Sequence, residues 1–257
     1  MKLISLNIEH GANIRKLVDF IKKQSETTDI FVFQEMDEPT SSGPTKAPGG
    51  VLGNNITLPA AYSTISNVLS DFVPYRSKPY VSLGSFLAIF VKRGLEIDGR
   101  RERVLTKTVE LFGLNSRSRL LCIRVHKGDK SFWVCNTHGV LIPGKWREDT
   151  AERLLQSRMI LNTLSEFEEP KLLCGDFNLP PHTKTMELLE KNMDNLIVRY
   201  KIKNTRSRLY LKNAKYANGA EITDHILISR DVKATGFKVL DTNVSDHLPL
   251  VLNFSVV

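Results

Sequence analysis

Leu172-Leu173-Cys174-Gly175-Asp176-Phe177-Asn178 is an apolar run that stops abruptly at a carboxylate and an amide. Lys171 to Cys174 reads as a buried β-strand. Gly175 permits a tight backbone, and Asp176 and Asn178 alternate onto one side around Phe177. Four other segments repeat the theme: Leu3-Ile4-Ser5-Leu6-Asn7, Phe33-Gln34-Glu35, Asn136-Thr137-His138-Gly139 and Ser245-Asp246-His247. Each sets Asn, Glu, His or Asp where a strand meets a loop. A fold that gathers these strand ends collects carboxylates, amides and imidazoles in one cleft. That is the equipment for splitting a phosphate ester with a divalent metal.

Taken singly, each segment has a plainer reading. Glu35 is also what a solvated carboxylate after a strand looks like, and His138 what a satisfied structural histidine looks like. Asp176 and Asn178 fit an Asx-type turn before Pro180-Pro181. Ser245-Asp246-His247 fits a polar turn before Pro249. Asp246 and His247 are adjacent, so their side chains diverge and each needs a partner elsewhere. Asp224 is a candidate to orient the His247 imidazole.

Around these segments the chain alternates strand and helix patterns. Lys2 to Ile8 and Asp29 to Gln34 read as strands flanking a helix from Asn13 to Lys23, a crossover unit. Met36 to Pro59, rich in Gly, Pro, Ser and Thr, reads as a long mobile loop. A helix near Ala60 to Leu69 precedes candidate strands at Ser85 to Val91, Arg103 to Val109, Leu120 to Val125 and Phe132 to Thr137. Arg147 to Phe167 reads as a helix with Leu154, Leu155, Met159, Leu161 and Leu164 on its core face. A short helix at Thr183 to Lys191 and strands at Asp224 to Ser229, Lys233 to Leu240 and Leu250 to Val256 complete the pattern. The expected fold class is α/β: a four-layer αββα sandwich, two mixed sheets face to face with helices outside.

The 257 residues suit one domain spanning 1–257. Composition is ordinary, at 41% hydrophobic and 25% charged, but the net charge is +8. That field attracts polyanions such as nucleic acid or phosphoinositides. Cys122, Cys135 and Cys174, odd in number and widely spaced, argue against a disulfide framework and a zinc site. No run approaches the ~18 apolar residues of a membrane span, and the chain opens directly on a strand pattern. A monomer in a reducing cytoplasm is the expectation.

In this order, the five segments and Asp224 within Ile222-Thr223-Asp224-His225-Ile226 resemble the endonuclease/exonuclease/phosphatase superfamily, the DNase-I-like fold. The resemblance runs from Asn7 to His247. It implies Mg²⁺ as cofactor, with Mn²⁺ a possible substitute, and Glu35 as the principal ligand. Asn7 would stand beside Glu35, with Asp246 contributing through water. Asp176 would orient the nucleophilic water and Asn178 contact the scissile phosphate. His247, paired with Asp224, would be general base or hydrogen-bond donor, and His138 would bind a phosphate oxygen or assist the leaving group.

A nuclease acting on DNA or RNA is the leading expectation. A phosphatase or phospholipid-type phosphodiesterase is the rival within enzymes, and a non-catalytic binding module on the same fold the rival outside them. Between Arg199 and Lys215 lie seven basic residues, Arg206 and Arg208 among them, without an intervening acid. They are interleaved with Tyr200, Tyr210 and Tyr216 in the manner of a phosphate-pairing, base-stacking surface; a solvated basic loop with inward tyrosines is the alternative. Arg117 and Arg119 are candidates to extend it.

Overall fold

The computed structural model describes residues 1–38, 60–80, 84–111, 114–211 and 221–257. In chain order the strands are β1 (Lys2–Asn7), β2 (Ile30–Met36), β3 (Phe72–Arg76), β4 (Phe86–Lys92), β5 (Glu96–Val104), β6 (Val109–Leu111) and β7 (Leu114–Ser116). They continue with β8 (Arg119–Lys127), β9 (Lys130–His138), β10 (Lys171–Asp176), β11 (Asp194–Asn195), β12 (Asp224–Ile228), β13 (Val232–Val239) and β14 (Leu250–Val256). The helices are α1 (Ile14–Ser25), α2 (Ala61–Val68), α3 (Ala151–Leu164), α4 (Lys184–Glu190), α5 (Leu196–Arg199) and α6 (Arg208–Leu211).

Two six-stranded mixed sheets form, in the orders β13-β14-β1-β2-β4-β3 and β11-β12-β10-β9-β8-β5. One apolar cluster lies between them, with Val32, Ile89, Leu121, Val134, Leu172, Ile226 and Leu252 fully or almost fully buried. A second covers the outer face of the first sheet with Leu17 and Ile21 of α1 and Ile65 of α2. A third covers the second sheet with Ile160 and Leu164 of α3 and Met186 and Leu189 of α4. This is the αββα sandwich expected from the alternating patterns. Cys122, Cys135 and Cys174 are free and buried. No described helix is long and apolar enough to cross a membrane.

Several elements depart from the sequence reading, the short β6, β7, β11, α5 and α6 having no expected counterpart. β3, with Pro74 at its centre, was not anticipated; it is an edge strand, where a missing amide donor costs little. The strand expected at Arg103 to Val109 lies earlier, at Glu96–Val104, another edge, and its charged, largely solvated residues hide the apolar pattern. α3 starts later than expected: Thr150 caps it, its side chain accepting from Arg153 N–H. The buried face of α3 is largely polar, with Arg153, Gln156 and Ser157 at 0% exposure while Leu155 is 43% exposed. Most of the expected loop, residues 39–59, lies outside the described residues, as do Lys212, Lys215 and Tyr216.

Candidate active site

Register brings three expected residues into one row. β10 runs parallel to β9 with Asp176 opposite His138, and antiparallel to β12 with Asp176 opposite Asp224. Neighbours in register project to the same face of a sheet, so an imidazole and two carboxylates stand side by side. Two glycines make this packing possible. A Cβ on Gly175 would lie 2.0 Å from the Thr137 carbonyl oxygen, and one on Gly139 would lie 2.3 Å from that of Phe177.

The first sheet supplies the opposite wall. Asn136 of β9 reaches across to it, donating to the carbonyls of Phe33 (2.8 Å) and Ala88 (3.1 Å) and accepting from Gln34 Nε2 (2.7 Å). This buried polar clasp ties the sheets together where their strand ends meet. The ladder of β2 with β4 shifts between Phe33 and Met36, an irregularity that re-aims Glu35. Asn7 Nδ2 donates to Glu35 Oε1 at 3.0 Å and Asp176 Oδ2 at 3.1 Å, joining the two walls. Its Oδ1 accepts Glu9 N–H at 3.0 Å. Asn7 therefore turns hydrogens, not its oxygen, toward the carboxylates, and in this arrangement it orients Glu35.

The third wall is a two-strand-like approach of residues 205–207 to 246–248. Leu248 N–H donates to Thr205 O and Ser207 N–H to Asp246 O, each at 2.8 Å. His247 Nδ1 lies 2.9 Å from both oxygens of Asp224, and its Nε2 lies 3.5 Å from Asp176 Oδ2. Arg206 donates to His247 Nε2, and to Asp246 Oδ2 at 3.0 Å, while stacking over Tyr210 at 4.5 Å. A guanidinium only donates, so this contact keeps the ring proton on Nδ1, facing Asp224. Burial and Arg206 press the His247 pKa down, but Asp224, Asp246 and Asp176 outweigh them and raise it to about 9. Nε2 is thus contested between a proton and Arg206.

The remaining ionisations follow from the same crowding. Burial pushes Asp176 up, yet His247, His138 and Arg206 more than offset this and hold it well below the usual carboxylate range. Glu35 is likewise pushed up by burial and brought below its ordinary value by His10, His138 and Asn7. Glu9 goes the other way: burial, Asp246 and Glu35 raise it to about 8.

Some participants were not read from the sequence. His10 Nε2 lies 3.2 Å from Glu35 Oε2 and its Nδ1 lies 2.5 Å from Asp37 Oδ2. Burial lowers the His10 pKa, but Glu35 and Asp37 lift it to about 9. Tyr80 is also new: its hydroxyl lies 2.9 Å from His138 Nδ1 and accepts Glu35 N–H at 3.0 Å. On the other edge of that ring, His138 Nε2 lies 3.1 Å from Asn178 Nδ2. Six described non-glycine residues have positive φ, and Glu9, His10, Glu35 and Asn178 are four of them. Such conformations cost about 1–3 kcal/mol each and tend to collect where function demands them. Strain of this kind was the signal most hidden from sequence.

The candidate substrate arginines separate. Arg206 is 6% exposed and sits inside the cleft. Arg208 is exposed and pairs with Asp241 at 3.5 Å. Arg119 stands opposite His138 across β8 and β9, held by Glu102 at 3.0 Å, and exposed Arg117 donates to Thr108 Oγ1 at 2.7 Å. Of the tyrosines considered for base stacking, Tyr200 is half-buried and Tyr210 is turned inward. Tyr200 packs on Phe237 and Tyr210 is buried, donating to Glu221 at 2.9 Å.

A model of the endonuclease/exonuclease/phosphatase family matches residues 4–247, reaching from β1 to His247. The chain belongs to the endonuclease/exonuclease/phosphatase family. It is accordingly a phosphoester hydrolase. No curated protein sequence matches it significantly. Among solved structures it is similar to the human Nocturnin catalytic domain with bound sulfate, at 16% identity and TM-score 0.72, covering 100% of this chain and 93% of that one. It is also similar to D. rerio TDP2 complexed with single-strand DNA product, at 13% identity and TM-score 0.73, covering 100% and 99%. A mannosyl-6-phosphatase of Bacteroides thetaiotaomicron is similar too, at 15% identity and TM-score 0.70, covering 99% of both chains. At such identities these likenesses speak to the fold alone.

Proposed function

We propose that this member of the family is a Mg²⁺-dependent phosphodiesterase whose substrate is DNA or RNA, with Mn²⁺ able to replace Mg²⁺. The observation that carries the reading is the convergence of Glu35, Asp176, Asn178, His138 and His247 from both sheets into one hydrogen-bonded cleft. The +8 charge favours a polyanionic substrate, and a relative of the same fold holds single-strand DNA product.

The donor set suits a hard cation. Glu9 is pushed up to about 8 by burial first and by the Asp246 and Glu35 carboxylates next, so three acidic side chains crowd this corner. His10, itself cationic at neutral pH, leans on Glu35 as a partial counter-ion. Glu35 and Asp246 are the residues that would hold Mg²⁺, through oxygen and retained water, with Asn7 fixing the Glu35 carboxylate. A bound cation would polarise the phosphoryl oxygens and offset the charge that builds on them.

The side chains divide the remaining work. Asp176 stays ionised and, held by Asn178 N–H at 2.8 Å, orients the attacking water. His247, steadied by Asp224 and with its pKa raised to about 9, would hold its proton at neutral pH and donate from Nε2 to a phosphoryl oxygen once Arg206 turns aside, with Asp176 accepting the water's proton. Asn178 and His138 face the same space and would donate to the non-bridging oxygens or the leaving group. Incubation with Mg²⁺ and a panel of single- and double-stranded DNA, RNA, phosphoinositides and sphingomyelin tests this. Nucleic-acid cleavage that vanishes in His247→Ala is the expected result. Activity confined to a lipid or inositol phosphate would overturn the substrate assignment.

A further inference from the structure

The segment 76–80 joins the outer edges of the two sheets at the mouth of the cleft. β3 is the edge of the first sheet and β5 the edge of the second. Arg100 Nη2 on β5 donates to Arg76 O at 2.8 Å, and Lys78 N–H donates to Glu102 Oε1 at 2.9 Å. Arg119 Nε donates to Pro79 O at 2.9 Å, and Arg117 N–H donates to Tyr80 O at 2.7 Å. Tyr80 ends the segment at His138. Five basic residues, Arg76, Lys78, Arg100, Arg117 and Arg119, are therefore gathered along one seam that runs up to the site, Arg100 and Arg119 through their side chains and Arg76, Lys78 and Arg117 through their backbone.

Their charge is poorly balanced. Glu102 alone is paired among them, with Arg100 at 3.4 Å and Arg119 at 3.0 Å. Among the described residues no carboxylate pairs with Arg76, Lys78 or Arg117. Arg76 instead lies over the Tyr62 and Phe86 rings, 5.2 and 5.5 Å from their centroids. Crowding like charges on a fold edge is repulsive, and a polyanion relieves that repulsion while releasing counter-ions. Fully extended, the stretch from Tyr80 to Arg76 would span at most about 13 Å at ~3.3 Å per residue. That is far longer than a phosphomonoester and long enough to face more than one phosphate of an extended strand.

We infer that this seam is the track for the nucleic-acid strand on one side of the scissile phosphate, so that the substrate is a polymer gripped over several phosphates. The inference rests on the nuclease reading and deepens it. It differs from the basic stretch at Arg199–Lys215, where Arg199 pairs with Asp194, Arg206 is buried in the site and Arg208 pairs with Asp241.

The test is binding without turnover. Fluorescein-labelled single-stranded DNA of 3 and 12 nucleotides is titrated by anisotropy in EDTA, from 50 to 200 mM salt. The proteins are the wild type and a K78Q/R100Q variant, with thermal melting as the control for folding. Both side chains are exposed, so unchanged melting is expected. The wild type should prefer the 12-mer. At a salt slope of ~0.7 per phosphate contact, it should lose about 7-fold more affinity over that range than the variant does. The variant should also lose most of the length preference. Equal salt slopes and equal length preference in both proteins would overturn the track while leaving the nuclease reading to the cleavage panel. A wild type that binds no oligonucleotide, yet cleaves a lipid or inositol phosphate, would overturn both.

Discussion

Replacing Tyr80 with Phe isolates what one hydroxyl does for this cleft. The oxygen accepts Glu35 N–H at 3.0 Å and lies 2.9 Å from His138 Nδ1, so its removal strands two polar groups in a site where Tyr80 is only 6% exposed. Burial and the nearby Glu35 and Asp37 charges hold the phenol well above its usual range, so it is neutral throughout an ordinary assay. Losing the two hydrogen bonds should cost about 2 kcal/mol of stability, because Glu35 is partly exposed and water recovers some of the loss. At this chain length that is a fall of about 4–8 °C in Tm. The larger consequence should be catalytic. A partner behind a site imidazole fixes its tautomer and angle, and removing one commonly costs 10–100-fold, or ~1.4–2.7 kcal/mol. The assay is a double-mutant cycle: kcat and KM for Tyr80→Phe, His138→Ala and the pair. If Tyr80 acts through His138, Tyr80→Phe should lower kcat about 10–100-fold alone and by less than ~3-fold once His138 is gone. An equal loss in both backgrounds would refute the argument and assign Tyr80 to Glu35 or to packing.

Asp176→Asn should keep the chain folded, since Oδ1 can still accept Asn178 N–H, but lower kcat by ~10²-fold or more; near-normal turnover would remove Asp176 from the reaction. Asn136→Ala should cost ~2–5 kcal/mol in urea unfolding, because it strips partners from the Phe33 and Ala88 carbonyls and Gln34; a loss below ~1 kcal/mol would mean that the inter-sheet clasp is dispensable. Gly175→Ala should cost ~4 kcal/mol or more, or yield insoluble protein, because the Thr137 carbonyl at 2.0 Å cannot give way; a soluble variant with unchanged unfolding would contradict the tight β9–β10 packing.

Much of the candidate site was readable because its polar strand ends interrupt strong apolar runs. Asn7, Glu35, His138, Asp176, Asp224 and His247 each follow or open such a run, and the central strands of both sheets are buried along most of their length. The edges were not readable. β3 and β5 satisfy only one flank of backbone groups and face solvent, so Pro74 and the run Arg100-Arg101-Glu102-Arg103 are tolerated there and mask the period. On α3, leucines at helical spacing pointed to a core face, whereas the buried side serves the loop after His138. Fully buried Arg153 donates to the carbonyls of Val140 (3.3 Å), Lys145 (2.7 Å), Trp146 (3.3 Å) and Glu148 (2.5 Å), and Gln156 accepts Val140 N–H at 2.9 Å. Tyr80 and His10 lie in segments with no periodic signal, and the pairing of β1, β4 and β3 around β2 within the first sheet brings them to Glu35.

The most direct test of the account is a Mg²⁺ titration of initial rate on bis(4-nitrophenyl) phosphate, a phosphodiester with no sequence or polymer requirement, comparing wild type with Glu35→Gln. The account predicts no turnover in EDTA, a saturable rise with Mg²⁺ in the wild type, and a loss of ~10²-fold or more in the variant, since the cation contributes several kcal/mol of charge stabilisation. Equal rates in the two proteins, or full turnover in EDTA, would contradict it.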